Sequence, residues 1–238
     1  MNNHAFNLTA LILLLFSFTS YSCITDRNLG PTEKEARKID DFSEIEVSHG
    51  INVYLTMGNT NHLEVETNEE LMDKLVTEVR GDKLKIYFEG TFIWAKTANV
   101  YLEARTIYKI SASGGSDVKG ENELKTENLE LRASGGSDIR LEVDVEDLEV
   151  EVSGGADVEL IGEATYIEAN TSGGSDLKAF DLITQTARLE ASGGSDIKVF
   201  VEDDLEANAS GGADIRYRGN PRNLETRDSS GGDVSKSN

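Results

Sequence analysis

Six aspartates recur at nearly constant spacing: Asp117, Asp138, Asp157, Asp176, Asp196 and Asp214, each closing a Ser-Gly-Gly-Ser/Ala-Asp string. Asp233 follows a seventh Ser-Gly-Gly and extends the series. Carboxylates beside glycines at a fixed repeat are the residue types of calcium β-rolls, in which several oxygens close on each ion. That motif, however, needs further glycines and a repeat of about nine residues, and this chain has neither. Two residues beyond each aspartate stand Lys119, Arg140, Glu159, Lys178, Lys198 and Arg216. The spacing therefore predicts an acidic ladder answered by a mostly basic one on the same strand face. An Asp beside Gly also accepts backbone N–H bonds in an Asx turn. Weak calcium binding is compatible with so acidic a surface, but corner architecture accounts for the string without it.

Residues suited to catalysis are sparse. The three histidines are His4, His49 and His62, and none stands in an HExxH pattern; there is no GxSxG string and no Cys/His cluster. β-Helix enzymes that act on acidic polysaccharides build their sites from carboxylates and basic residues on an outer strand face. They also break their repeats with a long loop that shapes a cleft, and residues 105–234 contain no such insertion. A second kind of candidate lies upstream. The stretch "KIYFEGTFIWAKTANVYLEA" gathers aromatic residues that are scarce in the repeats, and Tyr87 and Tyr101 fall opposite the apolar phase of their strands. Together with Trp94 they are candidate stacking surfaces for sugars or apolar partners, although Phe92 and Trp94 would serve equally well as a plug between the first coil and the repeats.

The elements that position these residues follow from the period. The Ser-Gly-Gly strings begin at Ser113, Ser134, Ser153, Ser172, Ser192, Ser210 and Ser230, in steps of 21, 19, 19, 20, 18 and 20 residues. A period near 20 residues marks a solenoid. In "LEVEVSGGADVEL", Leu148, Val150, Val152, Gly154, Ala156, Val158 and Leu160 share one phase, and glutamates with Asp157 take the other. The same phase puts Gly135 on the inward side of the preceding copy, and Ser116, Ser137, Ala156, Ser175, Ser195 and Ala213 on the inward side of the bend. The expected fold is all-β: a single-stranded parallel β-helix, right-handed by the general preference of parallel connections, with one short helix near its N-terminal part. The 22 Gly against 2 Pro fit recurring tight bends.

An older copy precedes the array. "EIEVSHGINVYL" aligns with the repeat so that Ser48 meets Ser153, His49 meets Gly154 and Asn52 meets Asp157. "HGINVYL", followed by "LMDKLVTEVRGDKLKIYF" and then by several "SGGSDI" strings, resembles the head-GIN-domain family, bacterial envelope proteins grouped as auto-transporter adhesins. The resemblance runs from about Asp41 to Val234 and implies a β-helical fold and an envelope location. Between the old copy and the array, "NEELMDKLVTEVRG" (Asn68 to Gly81) has a capping Asn, an apolar face of Leu71, Leu75, Val76 and Val79, and a terminal Gly. These signals predict a short helix covering the side or end of the solenoid, with strands at Lys83 to Phe88 and Asn99 to Ala104.

The chain begins with "MNNHAFN" and the apolar run Leu8 to Ser20, then "SYSC" with the only cysteine, Cys23. This reads as a lipoprotein-type signal over residues 1–22, with Cys23 as the lipidated mature N-terminus, although the n-region lacks Lys and Arg. Residues 23–40 read as a polar tether, 41–110 as a head part, and 111–238 as the regular array, with 41–238 one continuous domain. The formal charge of -21, from 44 acidic and 23 basic residues, makes nucleic acid and anionic lipid surfaces poor partners. The combined expectation is an exported, non-enzymatic envelope lipoprotein without a cofactor, held to the outer membrane by its lipid and facing either the surface or the periplasm. It would act as an adhesin or interaction module for a glycan or a protein. A polysaccharide-binding or polysaccharide-degrading β-helix, and a self-associating structural protein of the periplasm, are the alternatives.

Overall fold

A computed structural model describes residues 29–90 and 95–237. The array begins with β8 (Lys109–Ser113) and β9 (Asp117–Gly120) and continues through β10 (Leu124–Ser134), β11 (Asp138–Gly154), β12 (Asp157–Gly173), β13 (Asp176–Gly193) and β14 (Asp196–Ser210). It closes with β15 (Asp214–Gly219), β16 (Asn223–Ser229) and β17 (Asp233–Lys236). All pairings within this set are parallel, each coil stacked on the one before. The expected β-solenoid is therefore present, and its corners can be read from the core. In one coil Ser175, Leu177, Ala179, Leu182, Thr184, Ala187, Leu189 and Ala191 are buried. Inward positions two apart lie along a side, whereas steps of three (Ala179 to Leu182, Thr184 to Ala187) and of four across Ser192-Gly193-Gly194 mark corners. Each coil thus wraps three short sides round an apolar interior.

The glycines do not lie where plain alternation puts them. Gly135 and Gly154 are exposed, because the chain leaves the core at Val152 and re-enters it at Ala156. Even spacing across the corner preserves the phase, which is why the alternation seems to run straight through. Gly154, Gly173 and Gly193 take φ near +80°, and they stack so closely that a Cβ on Gly193 would lie 3.0 Å from the backbone of Gly173. Beside them the small inward residues are fully buried, and their hydroxyls tie coil to coil. Ser175 Oγ bonds the carbonyls of Ser172 (3.0 Å) and Val152 (3.1 Å), and Ser116 Oγ accepts the N–H groups of Gly50 and Ile51.

The head departs from the sequence reading in three ways. First, residues 23–40 are not a tether throughout: β1 (Thr32–Arg37) pairs antiparallel with β4 (His62–Asn68), and Leu29 is buried. Second, the helix expected over Asn68 to Gly81 is only a 3-10 turn, Glu69–Lys74, followed by β5 (Leu75–Arg80). Asn68 makes no side-chain cap; its Oδ1 instead accepts the N–H of Lys96 at 3.1 Å. The β-branched Val76, Thr77 and Val79 join an antiparallel hairpin with β6 (Lys83–Phe88), turned at Gly81, and strand pairing overrides helical periodicity. Third, the coils are not stacked in chain order. The oldest copy, β2 (Glu44–Val47) and β3 (Asn52–Met57), lies between β6–β7, where β7 is Ala98–Ala104, and β8–β9.

The two ends of the stack differ. At the head, Leu71 and Met72 are buried under the 3-10 turn, and the edge strand β1 is charged and exposed. At the far end, the inward positions filled upstream by Leu205, Ala207 and Ala209 become Leu224, Thr226 and Asp228, all exposed. An inward-pointing carboxylate on an edge strand opposes pairing with another chain.

Candidate functional site

The aspartate ladder exists as read. Asp117, Asp138, Asp157, Asp176, Asp196, Asp214 and Asp233 are register partners in successive coils, and Asn52 and Asn99 extend the column into the head. Much of its charge is answered in place. Lys178 Nζ lies 2.7 Å from Asp157 and 3.8 Å from Asp176, Arg140 lies 2.8 Å from Asp138, and Arg216 lies 2.9 Å from Asp214. Among the described residues no three His, Cys, Asp or Glu side chains converge as a metal-holding group.

Asp117 is the ladder's misfit. Burial, reinforced by the neighbouring Asp138, raises its pKa. A carboxyl whose folded pKa exceeds its unfolded pKa contributes most below the unfolded value, and that contribution is lost as pH rises through the folded one. Asp117→Asn should therefore melt at a higher temperature than wild type at pH 7, and the difference should vanish near pH 3. A melt series showing the same difference at both pH values would contradict this.

The candidate aromatics do not form one surface. Tyr87 Oη donates to Glu78 at 3.1 Å on the β5–β6 hairpin, whereas Tyr101 lies on β7 and donates to Glu66 at 2.9 Å. Trp94 lies outside the described residues, as do His4 and Cys23. Tyr101 stacks on Tyr54 with centroids 5.2 Å apart and planes 15° from parallel, and Lys34 Nζ sits 4.3 Å from the centre of its ring. A ring held by a tyrosine and an ammonium has little face left for a sugar. The sequence signal for Tyr54 was the string "NVYL", which occurs at Asn52–Leu55 and again at Asn99–Leu102; the structure pairs the two in register. Beside this column an open cleft of about 520 Å³ is bordered by Tyr54, His62, Glu103 and Lys119.

A larger concavity went unnoticed in the sequence because it carries no aromatic residue. An open groove of about 770 Å³ crosses coils of the array on the side that ends at the Ser-Gly-Gly corner. One wall carries Asn170, Glu190 and Asn208; the other carries Ser172, Ser192 and Ser210. Its signal was the residue two places before each corner serine, which reads Glu151, Asn170, Glu190, Asn208. At the head-side end of this same column Arg132 lies 2.6 Å from Glu151, and in the neighbouring column Arg188 is 3.9 Å from Glu168 and 4.0 Å from Glu206. The side chains of Asn170, Glu190 and Asn208, by contrast, have no hydrogen-bond or ion-pair partner within the described protein.

The sequence profile of the family described as "Putative auto-transporter adhesin, head GIN domain" matches residues 41–221. The chain belongs to this family. Several solved structures share the fold. A crystal structure titled a putative adhesin from Bacteroides fragilis has a TM-score of 0.80 at 21% identity, covering 87% of this chain and 97% of that one. A putative lipid binding protein from Parabacteroides distasonis has a TM-score of 0.70 at 23% identity, covering 88% and 98%. A putative adhesin from Parabacteroides merdae has a TM-score of 0.70 at 19% identity, covering 88% and 97%. No curated protein matches the chain. The likenesses to these solved structures are likenesses of fold, so function has to be argued from this chain's own surfaces.

Proposed function

We propose that this head-GIN-domain protein is a non-enzymatic envelope lipoprotein whose solenoid serves as an adhesin-like binding module at the cell surface. The observation that carries the reading is the continuity of the array: between Lys109 and Lys236 no break between successive strands exceeds three residues. A catalytic cleft on a β-helix needs a wall that rises above the coils, and breaks this short cannot build one. The coils instead present long, regular outer faces, the surface a binding module uses. The family's own description as an adhesin head supports the same reading, as does the description of two structural neighbours as putative adhesins. Cys23 is the proposed lipid anchor to the membrane, and no cofactor is required. Among the described residues no helix is long and apolar enough to cross a membrane. Self-association as a periplasmic structural element is less well supported, because Asp228 points inward on the terminal coil.

Protease shaving of intact cells, followed by mass spectrometry, tests the location. Release of array peptides such as those from 176–218 is the expected result. Complete protection until the cells are permeabilised would remove the surface role and leave a periplasmic one.

A further inference from the structure

The groove sets a wall of Asn170, Glu190 and Asn208, which the fold does not use for itself, against a serine wall in which Ser192 and Ser210 donate long hydrogen bonds of 3.5 Å to the carbonyls of Thr171 and Ala191. Elsewhere on the array, several glutamates and aspartates meet a lysine or arginine on the same or an adjacent coil. Asn170, Glu190 and Asn208 do not, and they occupy three consecutive coils in register. An amide offers both donors and acceptors, a carboxylate accepts from two hydroxyls at once, and a serine hydroxyl does either. Spaced along a groove, this set recognises a ligand rich in hydroxyl groups.

Charge and period narrow the class. A protein of net charge -21 with Glu190 in the wall repels polyanions, so a uronic-acid polymer is disfavoured and a neutral one fits. Parallel strands of successive coils stand about 4.8 Å apart, and an extended β-1,4-linked chain of pyranose units repeats at nearly that distance. The groove runs across the coils and its wall alternates Glu151, Asn170, Glu190 and Asn208, so such a chain, whose successive sugars are turned over, would meet the same kind of side chain in the same orientation at every second sugar. We infer that this groove binds a neutral, extended, β-1,4-linked polysaccharide along the solenoid axis, with one sugar unit per coil. The inference rests on the binding-module reading above and names its ligand class.

With no aromatic ring in the walls, stacking contributes little. Affinity should then accumulate from modest hydrogen bonds and rise with chain length. The test uses the full chain in detergent, with cellohexaose and β-1,4-mannohexaose as probes, their dimers for length dependence, and hexagalacturonate as the charged comparator. At least one neutral hexamer should bind roughly tenfold more tightly than its dimer, and more tightly than hexagalacturonate by a similar factor. The double variant Asn170→Ala/Asn208→Ala should weaken hexamer binding by roughly tenfold or more, with an unchanged melting temperature. Glu190→Gln, which keeps shape and removes charge, should narrow the discrimination against hexagalacturonate. Failure of both neutral hexamers to bind, binding without length dependence, or equal binding by the double variant with Glu190→Gln leaving selectivity unchanged would each overturn the inference. Cell-shaving results stand apart: array peptides released from intact cells alongside a groove that takes no hexamer would leave the adhesin reading in place and remove only this one.

Discussion

Alanine at Gly162 will cost the folded state about 4 kcal/mol, an estimate that adds a left-handed backbone penalty to a steric one. Gly162 has φ +111°, and a Cβ there would lie 2.1 Å from the carbonyl oxygen of Val143 on the coil below. That oxygen belongs to the β11–β12 ladder, in which Val143 faces Gly162, so relief requires the two coils to separate rather than one side chain to turn. Gly219 repeats the arrangement against Val201, at 2.0 Å. The control is Gly81→Ala. There φ is +64° but nothing lies within 4 Å, and the loss should be about 1 kcal/mol. Denaturant titration of the three proteins decides the matter, and a Gly162→Ala variant no less stable than Gly81→Ala would refute the steric argument.

Leu189→Ala should rank next, at about 4 kcal/mol. Leu189 is fully buried, and its column neighbours on the adjacent coils are Ala169 and Ala207. Its side chain therefore fills the space that two alanines leave, and truncation puts three small residues in a row with nothing large enough to settle into the gap. Leu148 offers the comparison. It lies between Leu129 and Ile167, whose side chains can close part of a cavity, so Leu148→Ala should cost less, about 3 kcal/mol. Equal losses, or the reverse order, would show that packing along the columns does not govern the cost.

What the sequence disclosed depended on repetition. Val150, Val158 and Leu160 are legible as core because the same phase returns in every copy, and the corner glycines because Ser-Gly-Gly occurs seven times. The aspartate ladder and its basic partners were legible for the same reason. Gly162 and Gly219 were not: each stands alone, and only the backbone of the neighbouring coil shows why it must be glycine. The segment from Asn68 to Gly81 misled because its helical periodicity was real, yet Val76 and Val79 gain more by pairing with Tyr87 and Leu84 than an isolated turn can supply. Residues 32–37 are polar enough to pass for a linker and are ordered by pairing with β4. Tyr54 and the groove lie outside the densest aromatic stretch, and their only signals are a four-residue string used twice and a column two places before each corner serine.

The placement of β2 and β3 has a consequence for how the chain reaches its native state. A solenoid stacked in chain order can grow coil by coil as the chain emerges, each turn templated by the one already formed. Here the earliest coil lies between strands that begin at Lys83 and others that begin at Lys109. One of its edges stays bare until β6 and β7 have emerged and the other until β8 and β9 have, and β4 must pair with β1 and then with β7. Long-range closure of this kind slows folding and lengthens the time during which apolar strand edges are exposed. Closure of the head should therefore be a late, rate-setting step that the regular array beyond Ser113 does not share, and in refolding experiments tyrosine signals from Tyr54 and Tyr101 should lag behind the bulk strand signal.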